Sequence, residues 1–382
     1  MPSRRRLPGA LTRLLLLASV LALASPAAPA AAQATWTVVP TPNPSTVANV
    51  LQDVTVLSTT NAWAVGYYYN SAAAADRTLT MRFNGTSWNV VPSPNPSTGS
   101  NELENVDAVS ASDVWALGNS KLMRFNGTSW SVMPSPTTGS VRGLDAVSAA
   151  DAWTVGFSGS ATYVSRWNGS SWVTVPSLPP GPGRHLMVLE AVAARTPTDV
   201  WAVGWDRDYD TAGRPVSSLV AHWNGTAWTR IPSPNPLDRN ILYDVVALAA
   251  DDVWAAGVAQ DVSGSGIMQR SLLMHWNGTT WQTVPTPQAE TGSDDLLLSL
   301  AAVSPSSVWA VGYYYSPTSG THEPLLLHAV GSTVTKNPSP NIADPALLTG
   351  ASALSGGTVW AVGYTAPPSA GNQTLSMRTT TG

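Results

Sequence analysis

The chain has 382 residues, a formal net charge of −4, 11% charged residues and no cysteine. This composition provides no basic patch, so nucleic acid is not an expected partner. The absence of cysteine excludes stabilisation by disulfides and attachment through a lipidated cysteine.

The amino-terminal 34 residues have the pattern of a secretory signal peptide. Three arginines, Arg4–Arg6, precede the apolar run "LLLLASVLALA", and Ala-x-Ala cleavage sites end at Ala32 or Ala34. The apolar run is shorter than the roughly 20 residues that span a bilayer. We therefore predict a signal peptide over residues 1–34, cleaved near 32–34, and a secreted or cell-surface protein with no membrane span after cleavage. The export route, Sec or twin-arginine, stays open.

The rest of the chain is a repeat built on two motifs. The first resembles "DVWAVG" and occurs seven times, with tryptophans at Trp63, Trp115, Trp153, Trp201, Trp254, Trp309 and Trp360. The second resembles "RFNGTSW" and contains Asn84, Asn126, Asn168, Asn224 and Asn277. A spacing of about fifty residues is typical of radial β-repeats.

Each repeat contains four strand-like runs, here called strands A to D. In the first repeat these are "VLQDVTVLS", "AWAVGYYY", "LTMRFNG" and "SWNVVP". The Asn-Gly pair between strands C and D predicts a hairpin in which both residues tolerate positive φ. The mature chain begins with a D-like segment, "ATWTVVP", and ends with a C-like segment, "TLSMRTTTG". The sequence thus predicts an all-β, seven-bladed β-propeller over residues 35–382, made of four-stranded antiparallel blades, with the amino-terminal strand completing the last blade.

The loop lengths indicate which face carries function. In such blades the A–B and C–D turns lie on one face, and the B–C and D–A loops lie on the other. The variable segments are B–C and D–A loops, such as "WDRDYDTAGRPVSS" (Trp205–Ser218). We expect ligands at this face, because binding residues concentrate on loops held by a rigid scaffold.

Aromatic and charged residues near this face are the candidate ligand-binding residues. The runs "GYYYN" and "GYYYS" carry tyrosines that can stack on a ligand, although at least one tyrosine of each run must pack between blades. The candidates are Tyr68, Tyr69, Arg184, His185, Tyr209, Tyr314, Tyr315 and His322.

Two groups of acids are candidate cation ligands. Asp206, Asp208 and Asp210 alternate as they do at the start of a calcium-binding loop, but Thr211 and Ser217 replace the expected Gly and Glu. The alternatives here are a Ca²⁺ site and a solvated loop, and no other cofactor is expected. A second set on strand A forms an acidic collar or bonds to backbone donors: Asp53, Asp107, Asp145, Glu190 and Asp244. The short polar residues before each strand-B tryptophan, such as Asp113, are expected to stabilise turns.

The segment "NGTSW" resembles a degenerate Asp-box, whose signature in sialidase-type propellers runs Ser-x-Asp-x-Gly-x-Thr-Trp. Asn84 and Asn126 stand at the Asp position, and the turn is one residue shorter. The resemblance implies a propeller fold and raises carbohydrate hydrolysis as an activity.

Two functions follow from these patterns. The first is a monomeric, non-catalytic module that binds an extracellular glycan or protein. The alternative is a carbohydrate-active enzyme, either a sialidase-like glycoside hydrolase or a polysaccharide lyase. The enzyme would use Asp206 or Asp208 with Arg184, His185 or Tyr209. No catalytic motif distinguishes them.

Overall fold

The computed structural model describes residues 33–119, 121–136, 139–179, 183–264 and 266–380. The predicted signal peptide lies outside the described residues, apart from Gln33 and Ala34. All regular elements in the described ranges are strands, which confirms the all-β prediction. No helix in these ranges is long and apolar enough to cross a membrane.

The strands pair into seven antiparallel groups of four, here called sheets one to seven. Sheet one contains β2 (Asn49–Ser58), β3 (Asn61–Asn70), β4 (Ala75–Phe83) and β5 (Trp88–Val90). Sheet two contains β6 (Asn105–Ser110), β7 (Asp113–Gly118), β8 (Lys121–Phe125) and β9 (Trp130–Met133). Sheet three contains β10 (Ser140–Ser148), β11 (Asp151–Ser158), β12 (Ala161–Trp167) and β13 (Trp172–Thr174). Sheet four contains β14 (His185–Thr196), β15 (Asp199–Asp208), β16 (Val216–Trp223) and β17 (Trp228–Arg230).

Sheets five to seven repeat this order. Sheet five contains β18 (Arg239–Ala249), β19 (Asp252–Asp261), β20 (Met268–Trp276) and β21 (Trp281–Thr283). Sheet six contains β22 (Asp294–Ser304), β23 (Ser307–Ser316), β24 (Thr321–Val330) and β25 (Thr333–Lys336). Sheet seven contains β26 (Ala346–Ala353), β27 (Val359–Thr365), β28 (Gln373–Thr380) and β1 (Thr35–Val38). The amino-terminal strand thus pairs with the last strand of the chain, and 28 strands fit about seven blades.

The first strand of each sheet, strand A, lies against strand A of the next sheet. Contacts run from β2 through β6, β10, β14, β18 and β22 to β26, and β26 also contacts β2. One parallel bridge, between Val216 and Arg239, joins sheets four and five. Strand A is therefore the inner strand of every sheet.

Tryptophans on strand B pack the sheets face to face. Trp63, in sheet one, is fully buried and meets Trp130 of sheet two with ring centroids 5.5 Å apart and an interplanar angle of 88°. Edge-to-face geometry suits the quadrupoles of the two rings. Because strand B alternates large and small residues, each sheet gives a large side chain to its neighbour and receives another.

In six of the seven sheets, a side chain on strand C contacts the short polar residue that stands two positions before the strand-B tryptophan. Arg124 donates to both carboxylate oxygens of Asp113, at 2.6 and 2.8 Å, and its guanidinium lies 4.4 Å from the ring of Trp115. His222 repeats this arrangement with Asp199 at 2.8 Å and with Trp201. Asp113 was expected to stabilise a turn, but its carboxylate pairs with a cation on the adjacent strand.

The Asn-Gly turns differ from the predicted hairpin type. Gly85 adopts a φ of 100°, whereas Asn84 does not adopt positive φ. The Oδ1 atom of Asn84 instead accepts hydrogen bonds from the backbone N–H groups of Thr86 and Ser87, at 3.0 and 2.9 Å. Asparagine therefore acts here as the hydrogen-bond acceptor of an Asx turn, and its backbone does not adopt the left-handed conformation.

Candidate functional site

The B–C and D–A loops meet on one face, as the antiparallel order of the strands predicted. The hydroxyl of Ser100, in a D–A loop, donates to Asp76 beside the B–C loop of sheet one at 3.0 Å. The backbone N–H of Val262 likewise donates to Asp238 at 3.0 Å. On the opposite face, Gly85 of a C–D turn packs against Thr60 of an A–B turn. We call the first of these faces the loop face.

The predicted site residues of sheet four lie close together on the loop face. His185 Nδ1 is 2.8 Å from Asp206 Oδ1, and Arg230 donates to Asp206 Oδ2 at 2.7 Å. Arg184 is ion-paired with Asp210 at 2.8 Å. The backbone N–H of Tyr209 donates to the carbonyl of Arg184 at 2.9 Å. Asp206 is 5% exposed, so its carboxylate is occupied by a histidine and an arginine rather than presented to solvent.

The calcium prediction rested on a longer loop than the structure contains. Strand β15 extends to Asp208 and β16 begins at Val216, so Asp206 and Asp208 lie on a strand. Asp208 accepts hydrogen bonds from the N–H groups of Asp210 and Thr211 and from the Thr211 hydroxyl, which lower its pKa. In the described ranges, no group of three or more acids, histidines or cysteines is placed to hold a metal. Calcium binding stays a prediction.

The tyrosine runs alternate between the packing of the sheets and the loop face. Tyr314 is 6% exposed, whereas Tyr315 is 42% exposed and contacts the His322 ring at a centroid distance of 5.6 Å. Tyr68 is half-buried and packs against the hydrophobic cluster between sheets seven and one. The candidate residues therefore form three groups, on sheets one, four and six.

The group on sheet six borders a groove of about 680 Å³. The Tyr314 hydroxyl donates to Glu323 at 2.5 Å, and Lys336 Nζ lies 4.4 Å from the centre of the Tyr314 ring. Burial and the adjacent Glu323 carboxylate raise the pKa of Tyr314. The phenol is therefore a hydrogen-bond donor whose position is fixed by Glu323 and Lys336. His322 is the candidate residue that remains exposed in this groove.

A larger constellation gathers where the inner strands reach the loop face. Five of its rings directly follow the glycine of a strand B, and the sixth is the extra residue of a β-bulge in β18. All six are half-buried, and they come from six different sheets: Tyr67, Phe157, Trp205, Tyr243, Tyr313 and Tyr364. We call these residues, with Glu104, Arg142 and Glu190, the axial cluster.

Pairwise interactions connect the axial cluster from sheet to sheet. Trp205 Nε1 donates to Glu190 Oε1 at 2.8 Å. Burial raises the pKa of Tyr243 to about 12, and Glu190 and Tyr313 add to the shift. Burial together with Tyr364 raises the pKa of Tyr313. Tyr364 also contributes to the raised pKa of Tyr67, which is caused mainly by burial. The phenols are thus neutral donors at pH 7, and they come from four successive sheets, five, six, seven and one.

The charged members of the axial cluster interact with each other and with one of the rings. Burial raises the pKa of Glu104, the charge of Arg142 opposes the shift, and Glu190 adds to it. The guanidinium of Arg142 lies 5.7 Å from the Phe157 ring. Glu104 is in sheet two and Glu190 in sheet four, so their interaction passes between sheets that are not neighbours. The site combines aromatic rings, phenol donors and two carboxyl groups.

The aspartates of the inner strands are more deeply buried than the axial cluster and form hydrogen bonds between neighbouring sheets. Asp53 accepts the N–H of Val106 at 2.8 Å, and Asp244 accepts that of Leu300 at 2.7 Å. Asp107 accepts the N–H of Ala146 in sheet three, and Asp145 accepts that of Ala194 in sheet four. Burial raises the pKa of Asp53 well above its usual range, with Asp244 contributing from across the inner strands. Bonding to backbone donors, rather than an open acidic collar, describes these four.

Glu190 departs from this set because it is itself the extra residue of a β-bulge, whereas Asp53, Asp145 and Asp244 lie beyond the same bulge of their own strands. The register of β14 shifts between Leu189 and Ala191, which leaves Glu190 as the extra residue. Counting alternate residues along strand A placed it with the four aspartates, and that placement is wrong. A bulge adds one residue and reverses the alternation beyond it.

Sequence reasoning missed most of the axial cluster, although a signal for it exists. In each tyrosine run the second residue, Tyr68 or Tyr314, packs between sheets, so the first residue, Tyr67 or Tyr313, must face the other way. The position after each strand-B glycine is aromatic in five of the seven sheets. Aligning that position across the repeats would have identified these rings.

Comparison with known proteins supports the fold. No family model and no curated protein matches the chain. A structure of YCF48 bound to a D1 peptide is similar with a TM-score of 0.57 at 15% identity, covering 91% of this chain and 97% of that chain. U3-55K gives 0.60 at 11% identity, covering 92% and 100%. The extracellular domain of BT4673 from B. thetaiotaomicron gives 0.54 at 13% identity, covering 90% and 39%. These neighbours are β-propeller-like proteins, and at such identities the similarity establishes the fold alone.

Proposed function

We propose that residues 35–382 form a closed, seven-bladed β-propeller that acts as a secreted, non-catalytic binding module. Closure is supported by the pairing of β1 with β28 and by the contact of β26 with β2. Secretion is proposed from the signal-peptide pattern of residues 1–34. The ligand is an extracellular protein segment or glycan, held at the axial cluster on the loop face.

The observation that carries the proposal is the convergence of six half-buried aromatic rings from six sheets. Rings at corresponding positions of a rigid repeat offer several stacking surfaces without loss of side-chain freedom on binding. Glu190 and the phenols provide acceptors and donors between the rings. YCF48, one of the structural neighbours, holds a D1 peptide in its structure, and this agrees with a peptide as one of the two ligand classes.

The test is to screen the purified mature protein on peptide and glycan arrays and then to measure the affinity of the best probe for variants. Trp205→Ala and Tyr313→Ala remove axial rings and are expected to weaken binding at least about tenfold. Tyr315→Ala removes an exposed ring outside the axial cluster and serves as the matched control. Loss of binding in Tyr315→Ala with full binding in Trp205→Ala would place the ligand elsewhere and overturn the proposal.

A carbohydrate-active enzyme is the second candidate, because the axial cluster contains two carboxyl groups of which Glu104 has a raised pKa. A glycosidase needs one protonated and one ionised carboxyl group on either side of the scissile bond. Turnover of reporter glycosides that falls at least about a hundredfold in Glu104→Gln would establish this activity. Bound glycan without turnover favours the binding module.

A further inference from the structure

The interface between sheets five and six lacks an aromatic ring that the other six interfaces contain. In each of those six, a tryptophan on strand D of one sheet meets the strand-B tryptophan of the preceding sheet edge to face. The pairs are Trp63–Trp130, Trp115–Trp172, Trp153–Trp228, Trp201–Trp281, Trp309–Trp36 and Trp360–Trp88. Their centroid distances run from 5.2 Å for Trp309–Trp36 to 6.0 Å for Trp153–Trp228.

Trp254 is the strand-B tryptophan without such a partner. Strand D of sheet six carries Val334 at the corresponding position, and strand C carries Ala329 where five sheets have Phe or Trp. The ring of Trp254 contacts His275 of its own sheet at 4.4 Å, and its Nε1 donates to Asp252 at 2.9 Å. Two smaller side chains therefore stand where five of the other six sheets place two rings.

A groove of about 700 Å³ opens at this interface. Trp254 and His275 line it from sheet five, while Pro305 and Ser306 of an A–B turn and Ser332 of a C–D turn line it from sheet six. It therefore opens on the face opposite the loop face. The side chain of His275 is 31% exposed and forms the accessible part of the wall.

We propose that this groove is a second binding site, which accepts the indole of a tryptophan presented by a partner protein. The repeat supplies the argument, since Trp254 and Val284 border the groove together with His275. The equivalent residues of sheet four, Trp201 and Ile231, pack with the indole of Trp281. Trp254 itself is 3% exposed, so an entering indole would contact the exposed imidazole of His275, which lies against the Trp254 ring. Bound tryptophans of this kind are frequent anchors of protein interfaces. The site is independent of the axial cluster and of its ligand.

The test uses N-acetyl-tryptophanamide as the probe, titrated to millimolar concentration and followed by NMR of the whole mature protein. We expect saturable shifts of the His275 imidazole and of the Ser306 and Ser332 amides. N-acetyl-leucinamide is the control ligand and should give at least about tenfold weaker binding. Shifts that do not saturate, or equal binding of both amides, would overturn the proposal.

Three variants test whether the site lies at this interface. Val334→Trp restores the repeat and should abolish binding of the probe while raising the thermal midpoint. Thr335→Trp puts an indole on the exposed side of the same strand and should leave binding unchanged. The double variant Trp276→Ala/Trp281→Val is independent of how Val334→Trp folds, because it removes both rings from the equivalent place between sheets four and five. It should create a second set of probe-dependent shifts, at His222, and the absence of such shifts would count against the proposal.

Discussion

Asp244 of sheet five accepts a hydrogen bond from the backbone N–H of Leu300 in sheet six at 2.7 Å, so a single carboxylate joins two sheets at the inner strands. The hydroxyl of Ser299 donates to the same oxygen at 3.0 Å, and the N–H of Ala351 in sheet seven donates to Ser299 at 3.1 Å. Such inter-sheet bonds hold neighbouring repeats in register near the axial cluster.

The burial of Asp244 makes stability depend on pH. Its pKa is raised from 3.8 to about 6 in the folded protein, mainly by burial. A raised pKa means that the folded state holds the proton more tightly, so this contribution is complete below about pH 4 and is lost as pH rises through about 6. At about 1.4 kcal/mol per pKa unit it amounts to at most about 3 kcal/mol.

The measurement is the free energy of unfolding of wild type and Asp244→Asn between about pH 4 and pH 7. We expect wild type to lose more stability than the variant over this range, because asparagine does not titrate. Parallel curves for the two proteins would show that Asp244 titrates normally.

The Arg124–Asp113 pair predicts unequal effects of two arginine substitutions. Asp113 is 8% exposed, and Arg124 both pairs with it through two nitrogens and covers the Trp115 ring. Arg124→Met leaves a nearly buried carboxylate without its cation and should destabilise the fold by about 3 kcal/mol or more. Arg184→Met breaks the pair with Asp210, in which the arginine side chain is 79% exposed, and should change stability by less than about 1 kcal/mol. Equal losses in denaturant unfolding would contradict the buried-pair interpretation.

The sequence was sufficient for the elements that repeat, and insufficient where one residue alters the register. Trp63 and its six equivalents are periodic and flanked by small residues, so the packing of strand B could be predicted. Glu190 was misplaced because counting alternate residues leaves out the extra residue of a bulge, although the same bulge recurs at Arg142 and Tyr243 of other inner strands. The ion pair of Asp206 could not be predicted from the sequence either. Its partner Arg230 is 24 residues away, and their contact depends on the pairing of strands in sheet four.

The Asx turns predict that the asparagines of the second motif tolerate aspartate but not alanine. Asn84 Oδ1 accepts three hydrogen bonds, two from backbone N–H groups and one from the Thr86 hydroxyl. Asn84→Asp keeps the acceptor and should be nearly neutral, whereas Asn84→Ala leaves the turn donors unsatisfied by protein and should destabilise by about 1 kcal/mol. The measurement is the thermal unfolding of both variants. An alanine variant as stable as wild type would refute the acceptor role of Asn84.

The pairing of the amino-terminal strand predicts that Trp36 is as important as a tryptophan within the chain. Trp36 is 5% exposed and meets Trp309 at 5.2 Å, while Trp281 is 4% exposed and meets Trp201 at 5.7 Å. Because the two environments match, Trp36→Ala and Trp281→Ala should each destabilise by about 3–5 kcal/mol in denaturant unfolding. If β1 frays from β28 in solution, the loss at Trp36 will be far smaller than at Trp281, because fraying ends contribute little to global stability. A small loss for Trp36→Ala alone would therefore show that the first and last strands of the chain do not hold sheet seven together.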